Sequence, residues 1–194
     1  IQASNRTGKS LDCCYELACH LTGIYPSWWV GKRMTKATDW LVVGETYELM
    51  RKSIITTLLG PFGAYGTGMI RASCLDTGTM KQVQRAGTNV GNFRVRFMGG
   101  GWCNVTFGTY DQPREQFQAF TANVLFDEEP PEDIFNECVT RCATLGKNKA
   151  IIVNFTPMKG ETKFLQDFME GRPSVTGPIS SDKHLTRLKW SQGD

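Results

Sequence analysis

The residues best equipped for chemistry are Lys9 and Ser10, which close the opening segment Ile1-Gln2-Ala3-Ser4-Asn5-Arg6-Thr7-Gly8-Lys9-Ser10. That segment runs straight into residues 11–18, which read as a helix. A loop ending in Gly-Lys-Ser at the mouth of a helix faces an anion with backbone N–H groups and the positive end of the helix dipole. In such a loop Lys9 reaches the β- and γ-phosphates of a nucleotide, and the Ser10 hydroxyl sits on Mg²⁺. Ala3 occupies the place of the usual first glycine. Alanine is small enough for a tight turn, but a left-handed backbone costs it energy that glycine avoids. The alternative is a chance Gly-Lys-Ser ahead of a surface helix.

A second stretch bears on the same chemistry. Asn123-Val124-Leu125-Phe126-Asp127-Glu128-Glu129-Pro130-Pro131 is an apolar run, interrupted at Asn123, that ends in adjacent carboxylates. An Asp at the end of a buried strand can share Mg²⁺ with the Ser of a phosphate loop, which is the role open to Asp127. The neighbouring Glu128 can polarise an attacking water as general base. The competing reading makes Pro130 and Pro131 a helix start, with Glu132 and Asp133 in a first turn that suits acids. That accounts for Glu132 and Asp133, but not for Asp127 and Glu128 closing a strand.

The elements that must carry these residues follow from length and pattern. The 194 residues suit one domain, and 40% hydrophobic with 21% charged residues is ordinary for a globular protein. A net charge of +3 creates no global basic field, so any DNA contact has to come from a local patch. Seven cysteines show no C-x-x-C spacing, and His20 and His184 lie far apart. Buried, reduced thiols are a plainer reading than zinc or disulfides. No apolar run approaches the ~20 residues that span a bilayer, and no segment has the pattern of a signal peptide. Ile1-Gln2-Ala3 is a short stub for the strand that should feed a phosphate loop, so residues upstream of position 1 are expected.

In chain order, the first helix should stop near Thr22-Gly23. A loop with Trp28, Trp29, Lys32, Arg33 and Lys36 follows, and its cations can meet DNA phosphates or simply face solvent. A buried strand is predicted over 39–44, then a helix over 45–59 with Gly60 as its stop and Leu49, Ile54 and Leu58 as core. Residues 61–73 are a glycine-rich loop. Phe93 to Phe97 alternates as a strand, and Trp102 to Phe107 returns after Gly99-Gly100-Gly101 as a hairpin. Arg85, Arg94 and Arg96 are candidates for phosphate or partner contacts, or an exposed strand face. A helix over 132–145 should pack Ile134, Cys138 and Val139 inward. The run 150–155 suits a central strand buried on both faces. Thr156 at its carboxyl end stands where α/β sheets place ligand contacts, or is plain turn chemistry before Pro157.

Taken together, these segments resemble the ATPase domain of the large terminase subunit, the DNA-packaging motor of tailed bacteriophages. The specific pieces are Ala3-Ser4-Asn5-Arg6-Thr7-Gly8-Lys9-Ser10 and Phe126-Asp127-Glu128-Glu129-Pro130-Pro131. Tyr110-Asp111-Gln112, Phe117-Gln118 and Phe155-Thr156-Pro157-Met158-Lys159-Gly160 support them in the same order, so the likeness covers nearly the whole chain. Ala119 departs from the glycine expected after Phe-Gln.

The resemblance implies an α/β P-loop NTPase of the ASCE type, with a mainly parallel central sheet flanked by helices. Residues 1–171 would form the ATPase domain, short of its extreme N-terminal segment, and 172–194 an extension or linker toward a nuclease domain that lies beyond this chain. ATP would sit on residues 3–10, Mg²⁺ on Ser10 and Asp127, and Glu128 would activate water. Arg6 would meet the γ-phosphate in the transition state and Thr156 would couple hydrolysis to movement. Implied partners are double-stranded DNA, a portal protein, the small terminase subunit and further copies in a ring, with no membrane, in the cytoplasm of an infected bacterium. No spaced acidic cluster for two metals follows residue 160, so no nuclease activity is expected of these residues. Two other readings share part of the pattern: a helicase-like, nucleic-acid-dependent NTPase, and a degenerate P-loop domain that binds without hydrolysis.

Overall fold

Two five-residue strands, each buried along its full length, form the middle of the molecule. They are β1 (Trp40–Gly44) and a strand over Asn123–Asp127. In the computed structural model, which describes residues 8–76, 78–79 and 92–154, these two pair in parallel. The remaining described strands are β2 (Phe93–Arg96), β3 (Trp102–Thr109) and β5 (Ile151–Asn154), and the Asn123–Asp127 strand is β4. Their order is β2-β3-β1-β4-β5, and only the β2–β3 hairpin is antiparallel. Parallel strands need crossover helices on the sheet faces, which explains why β1 is apolar along its length and β4 is apolar between its terminal Asn123 and Asp127.

The strand period of two sorts side chains to two cores. Trp40 and Val42 of β1, with Leu125 and Ile152, join one cluster beneath α1 (Lys9–Thr22). Leu41 and Val43, with Val124, Phe126 and Val153, join the other. That second cluster is closed by Phe117 of α4 (Arg114–Phe117) and by Ile134 and Cys138 of α5 (Glu132–Ala143). The result is a sheet with helices on both faces, so the α/β reading with a mainly parallel sheet is borne out. In α1, Cys13, Cys14, Leu17, Ala18 and Leu21 recur on one face at helical spacing and are buried. Gly23 ends the helix in a left-handed turn, its N–H donating to the Cys19 carbonyl.

Several details differ from the sequence expectation. The helix predicted over 45–59 is α2 (Tyr47–Met50) and α3 (Thr56–Leu59) joined by a π-helical turn over Arg51–Ile55. Thr46 caps α2 by accepting from the Leu49 N–H. Met50, Ile54, Ile55, Leu58 and Leu59 face the core, whereas Leu49 is 50% exposed. Ile54 and Leu58 follow the expectation and Leu49 does not, because Met50 is the residue turned to the sheet. Asn123 does not interrupt β4; it is the strand's first residue and fully buried. Among the described strands β5 lies at the edge and β1 at the centre. All seven cysteines are free thiols, and burial pushes the thiols of Cys13, Cys14, Cys103, Cys138 and Cys142 upward.

On α5 Glu137, next to the inward Cys138, is covered, while Val139 is half-buried. Arg114 donates from Nη2 to Glu137 at 2.8 Å, and Arg141 donates from Nε at 2.9 Å. The Glu137 side chain is 8% exposed, but its cover is these two half-exposed arginines rather than the apolar core, so solvent screens the cluster. The Arg114 hydrogen bonds, then those from Arg141, hold the Glu137 carboxyl below its ordinary range. A carboxyl with a depressed folded-state pKa stabilises above its unfolded value and loses that contribution as pH falls through the folded one. Glu137→Gln is therefore expected to lower stability at neutral pH by on the order of 1 kcal/mol and to have a vanishing effect in acid. Urea melts of both proteins across that range check this; an equal loss at all pH values would contradict it.

Candidate nucleotide-binding site

The carboxyl ends of the parallel strands line up. Thr109 of β3 is opposite Gly44 of β1, Gly44 is opposite Asp127 of β4, and Asp127 is opposite Asn154 of β5. The amino end of α1 arrives at this row. Gly8 precedes it with φ +85°, a left-handed backbone that glycine accommodates, and its carbonyl accepts the Asp12 N–H at 3.0 Å. Among the described residues a Cβ there would touch nothing within 4 Å, and the left-handed backbone by itself calls for glycine. Lys9 is only 8% exposed, unusual for a lysine, and Ser10 follows it on the helix.

The side chain that gathers the site is one that sequence reasoning missed. The Asn154 amide donates to Ser10 Oγ at 3.1 Å and to Asp127 Oδ1 at 2.9 Å. It therefore bridges the two residues expected to share Mg²⁺. The other Asp127 oxygen, Oδ2, accepts from Ser53 at 3.1 Å, and Ser53 sits on the π-helical turn. Such turns recur at functional sites. The available signal for Asn154 was a polar residue closing Ile151-Ile152-Val153.

Asp127 is buried, and burial raises its carboxyl above the ordinary range; the Asn154 and Ser53 hydrogen bonds pull the other way and Glu45 adds to the rise. The Asn154 Oδ1 is buried with no hydrogen-bond partner among the described residues. The Ser10 hydroxyl and the buried Asp127 carboxylate are hard oxygen donors of the kind that suits Mg²⁺. These residues fit the ion.

Beside Asp127, Glu128 has φ +81° and is the one non-glycine residue of positive φ among the described residues. Its N–H donates to the Asn154 carbonyl at 2.6 Å. Its own carbonyl accepts from the Tyr110 hydroxyl at 2.8 Å, and the Asp127 carbonyl lies 3.3 Å from the same hydroxyl. Burial drives the Tyr110 phenol upward, so it stays protonated and able to donate.

Gly8, Lys9, Ser10, Asp127 and Glu128 are thus placed at or beside the carboxyl end of the sheet. Ala3, Ser4, Asn5, Arg6 and Thr7, together with Thr156, Arg85 and the 155–194 segment, lie outside the described residues. The basic candidates divide. Arg94 is committed to an ion pair with Asp76 and lies over the Trp102 ring at 5.4 Å. Arg33 covers the Tyr25 ring at 5.3 Å and donates to the Trp29 carbonyl. Lys36 and Arg96 are exposed. Trp29 packs with Tyr25 and His20, while Trp28 is 66% exposed and stacked on Tyr15.

Known proteins resemble this chain in sequence. The chain is 30% identical over 209 residues to the "Terminase, large subunit" of Salmonella phage P22, a match covering 95% of this chain and 41% of that protein. The chain thus spans about two-fifths of that relative's length. Solved structures that resemble it include the large terminase of a thermophilic bacteriophage, in two crystal forms. One form has a TM-score of 0.46 and 16% identity over 80% of this chain and 32% of that one. A form in complex with ADP has a TM-score of 0.49 and 15% identity over 88% and 37%. The family model for the N-terminal part of the T4-like large terminase subunit matches residues 1–190, and the chain belongs to that family.

Proposed function

We propose that this chain hydrolyses ATP to drive double-stranded DNA into a viral procapsid, as the ATPase part of a phage packaging motor with an ASCE-type P-loop fold. The observation that carries the reading is the Asn154 bridge, which joins Ser10 at the start of α1 to Asp127 at the end of β4. Membership in the large terminase family supports it.

In this reading Lys9 and the backbone N–H groups at the start of α1 bind the β- and γ-phosphates. Ser10 and Asp127 hold Mg²⁺, with Asn154 fixing their separation. Bound there, the ion offsets negative charge on the phosphates. Glu128 orients the attacking water and takes its proton at the carboxylate. Arg6 contributes positive charge at the γ-phosphate, where an arginine can be worth roughly 10³–10⁵ in rate, and Thr156 relays the state of that phosphate. Portal protein, small terminase subunit and further copies in a ring are the partners that the family suggests, in the cytoplasm of the infected cell. No described helix is long and apolar enough to cross a membrane.

The test is stabilisation by a slowly hydrolysed ATP analogue with Mg²⁺. At ~100 times its Kd the ligand should add ~2.7 kcal/mol to the unfolding free energy of the wild type. Lys9→Ala is expected to abolish most of that gain, measured against the variant's own unliganded melting temperature. No stabilisation of the wild type would overturn the nucleotide site.

A further inference from the structure

Two observations around Glu128 belong together. Its left-handed backbone is a conformation that residues with a side chain seldom adopt, and it persists only where the surroundings over-determine it. Groups on both sides hold it. The Asn154 carbonyl takes its N–H from one side, and the Tyr110 hydroxyl donates to its carbonyl from the other, with the Asp127 carbonyl sharing that hydroxyl at longer range.

Tyr110 is itself firmly placed. Its backbone N–H donates to the Gly44 carbonyl at 3.0 Å, at the end of β1, and its ring stacks on Phe126 of β4. Two residues on, Gln112 donates from Nε2 to Tyr47 Oη at 3.1 Å and accepts the Thr109 N–H at 3.2 Å. Tyr47 in turn donates to the Phe107 carbonyl at 3.3 Å. The turn carrying Tyr110 is thereby tied to β1, β3 and α2. No step proposed above uses the phenol as acid, base or phosphate ligand.

We propose that Tyr110 is a positioning residue for hydrolysis: its hydroxyl, bound to the Glu128 carbonyl, keeps the Glu128 backbone left-handed and so sets where the general base leaves the strand. A glycine would occupy this conformation without strain, yet the position carries the carboxylate that the chemistry needs. The hydroxyl resolves that conflict by holding the strained peptide from outside. Nucleotide binding, which falls to Lys9, Ser10 and Asp127, does not depend on it. The inference rests on the hydrolytic reading of Glu128 given above.

Tyr110→Phe in the complete protein that carries this chain isolates the hydroxyl and keeps the ring on Phe126. With DNA and packaging partners present, kcat is expected to fall roughly tenfold or more, the effect of one well-placed hydrogen bond on the base, while KM stays within about twofold. Affinity for ADP with aluminium fluoride, which mimics the transferring phosphoryl group, should weaken in parallel, and affinity for the slowly hydrolysed analogue should not. A lower melting temperature with unchanged kcat and unchanged preference for the fluoride complex would make Tyr110 merely structural and overturn the proposal. A second variant tests the mechanical half without turnover. In a Glu128→Gly background, where no strain remains to be held, Tyr110→Phe should destabilise the fold less than it does in the wild type, and an equal loss would overturn the proposal. Wild-type protein that binds no Mg-nucleotide would remove the hydrolytic reading itself, an outcome distinct from wild-type turnover that Tyr110→Phe leaves untouched.

Discussion

Glu128→Gln is expected to lower ATP turnover by roughly 10²–10⁴-fold and to leave nucleotide affinity within about twofold. The amide keeps the size and the hydrogen-bonding reach of the carboxylate but cannot accept a proton from water. It also keeps the backbone interactions that hold this position, the N–H to Asn154 and the carbonyl to Tyr110, because neither involves the side chain. In the proposed reading binding falls to Lys9, Ser10 and Asp127, which the substitution does not touch. Steady-state hydrolysis with DNA, paired with analogue titrations on the same preparation, separates the two effects. A Glu128→Gln protein that turns over at the wild-type rate would deny Glu128 its role as base. One that no longer binds would point to a ligand or a support.

The second large effect concerns the fold. Asn123→Leu should cost about 2–4 kcal/mol of stability despite the near-equal size of the two side chains, because it strands buried polar partners. Asn123 is fully buried at the start of β4. Its Nδ2 donates to Thr38 Oγ1 at 3.0 Å, and its Oδ1 accepts the Ala150 N–H at 2.6 Å and faces the Cys142 thiol at 3.6 Å. One amide thus fastens the approach to β1, the approach to β5 and the end of α5. Leucine would leave the half-buried Ala150 N–H without its acceptor and the buried Thr38 hydroxyl without its donor, and a buried group so stranded costs about 1–3 kcal/mol. The expected readout is a lower urea midpoint at unchanged m-value. A loss below about 0.5 kcal/mol, the scale of an ordinary surface change, would contradict the account.

Local pattern settled a good deal of this protein in advance. The Gly8-Lys9-Ser10 helix mouth, the stop at Gly23, the β2–β3 hairpin around Gly99-Gly100-Gly101 and the proline-led start of α5 are where the sequence puts them. Each depends on neighbours within a few residues: a glycine free to turn left-handed, an alternation of period two, a proline at the cap just before the first helical turn. Strand burial was legible for the same reason, since the middles of β1 and β4 sit between helices on both sheet faces and are apolar.

What the sequence could not carry is pairing across distance. Ser10 and Asn154 are 144 positions apart, and only the parallel register of β1, β4 and β5 brings Gly44, Asp127 and Asn154 to one edge where α1 begins. Asn154 reads locally as the tail of an apolar strand, and Asn123 as a flaw in one; both are buried amides whose partners come from other elements. Leu49 shows the converse, an apolar residue that the chain turns outward once Met50 takes the inward face. Tyr110 acquires its hold on Glu128 only when the end of β3 lies beside the end of β4 across β1. Residue type and spacing determined which groups exist for phosphate chemistry. Long-range strand register decided which of them meet, because a hydrogen bond needs its two atoms within about 3 Å and local sequence constrains distances only along the chain.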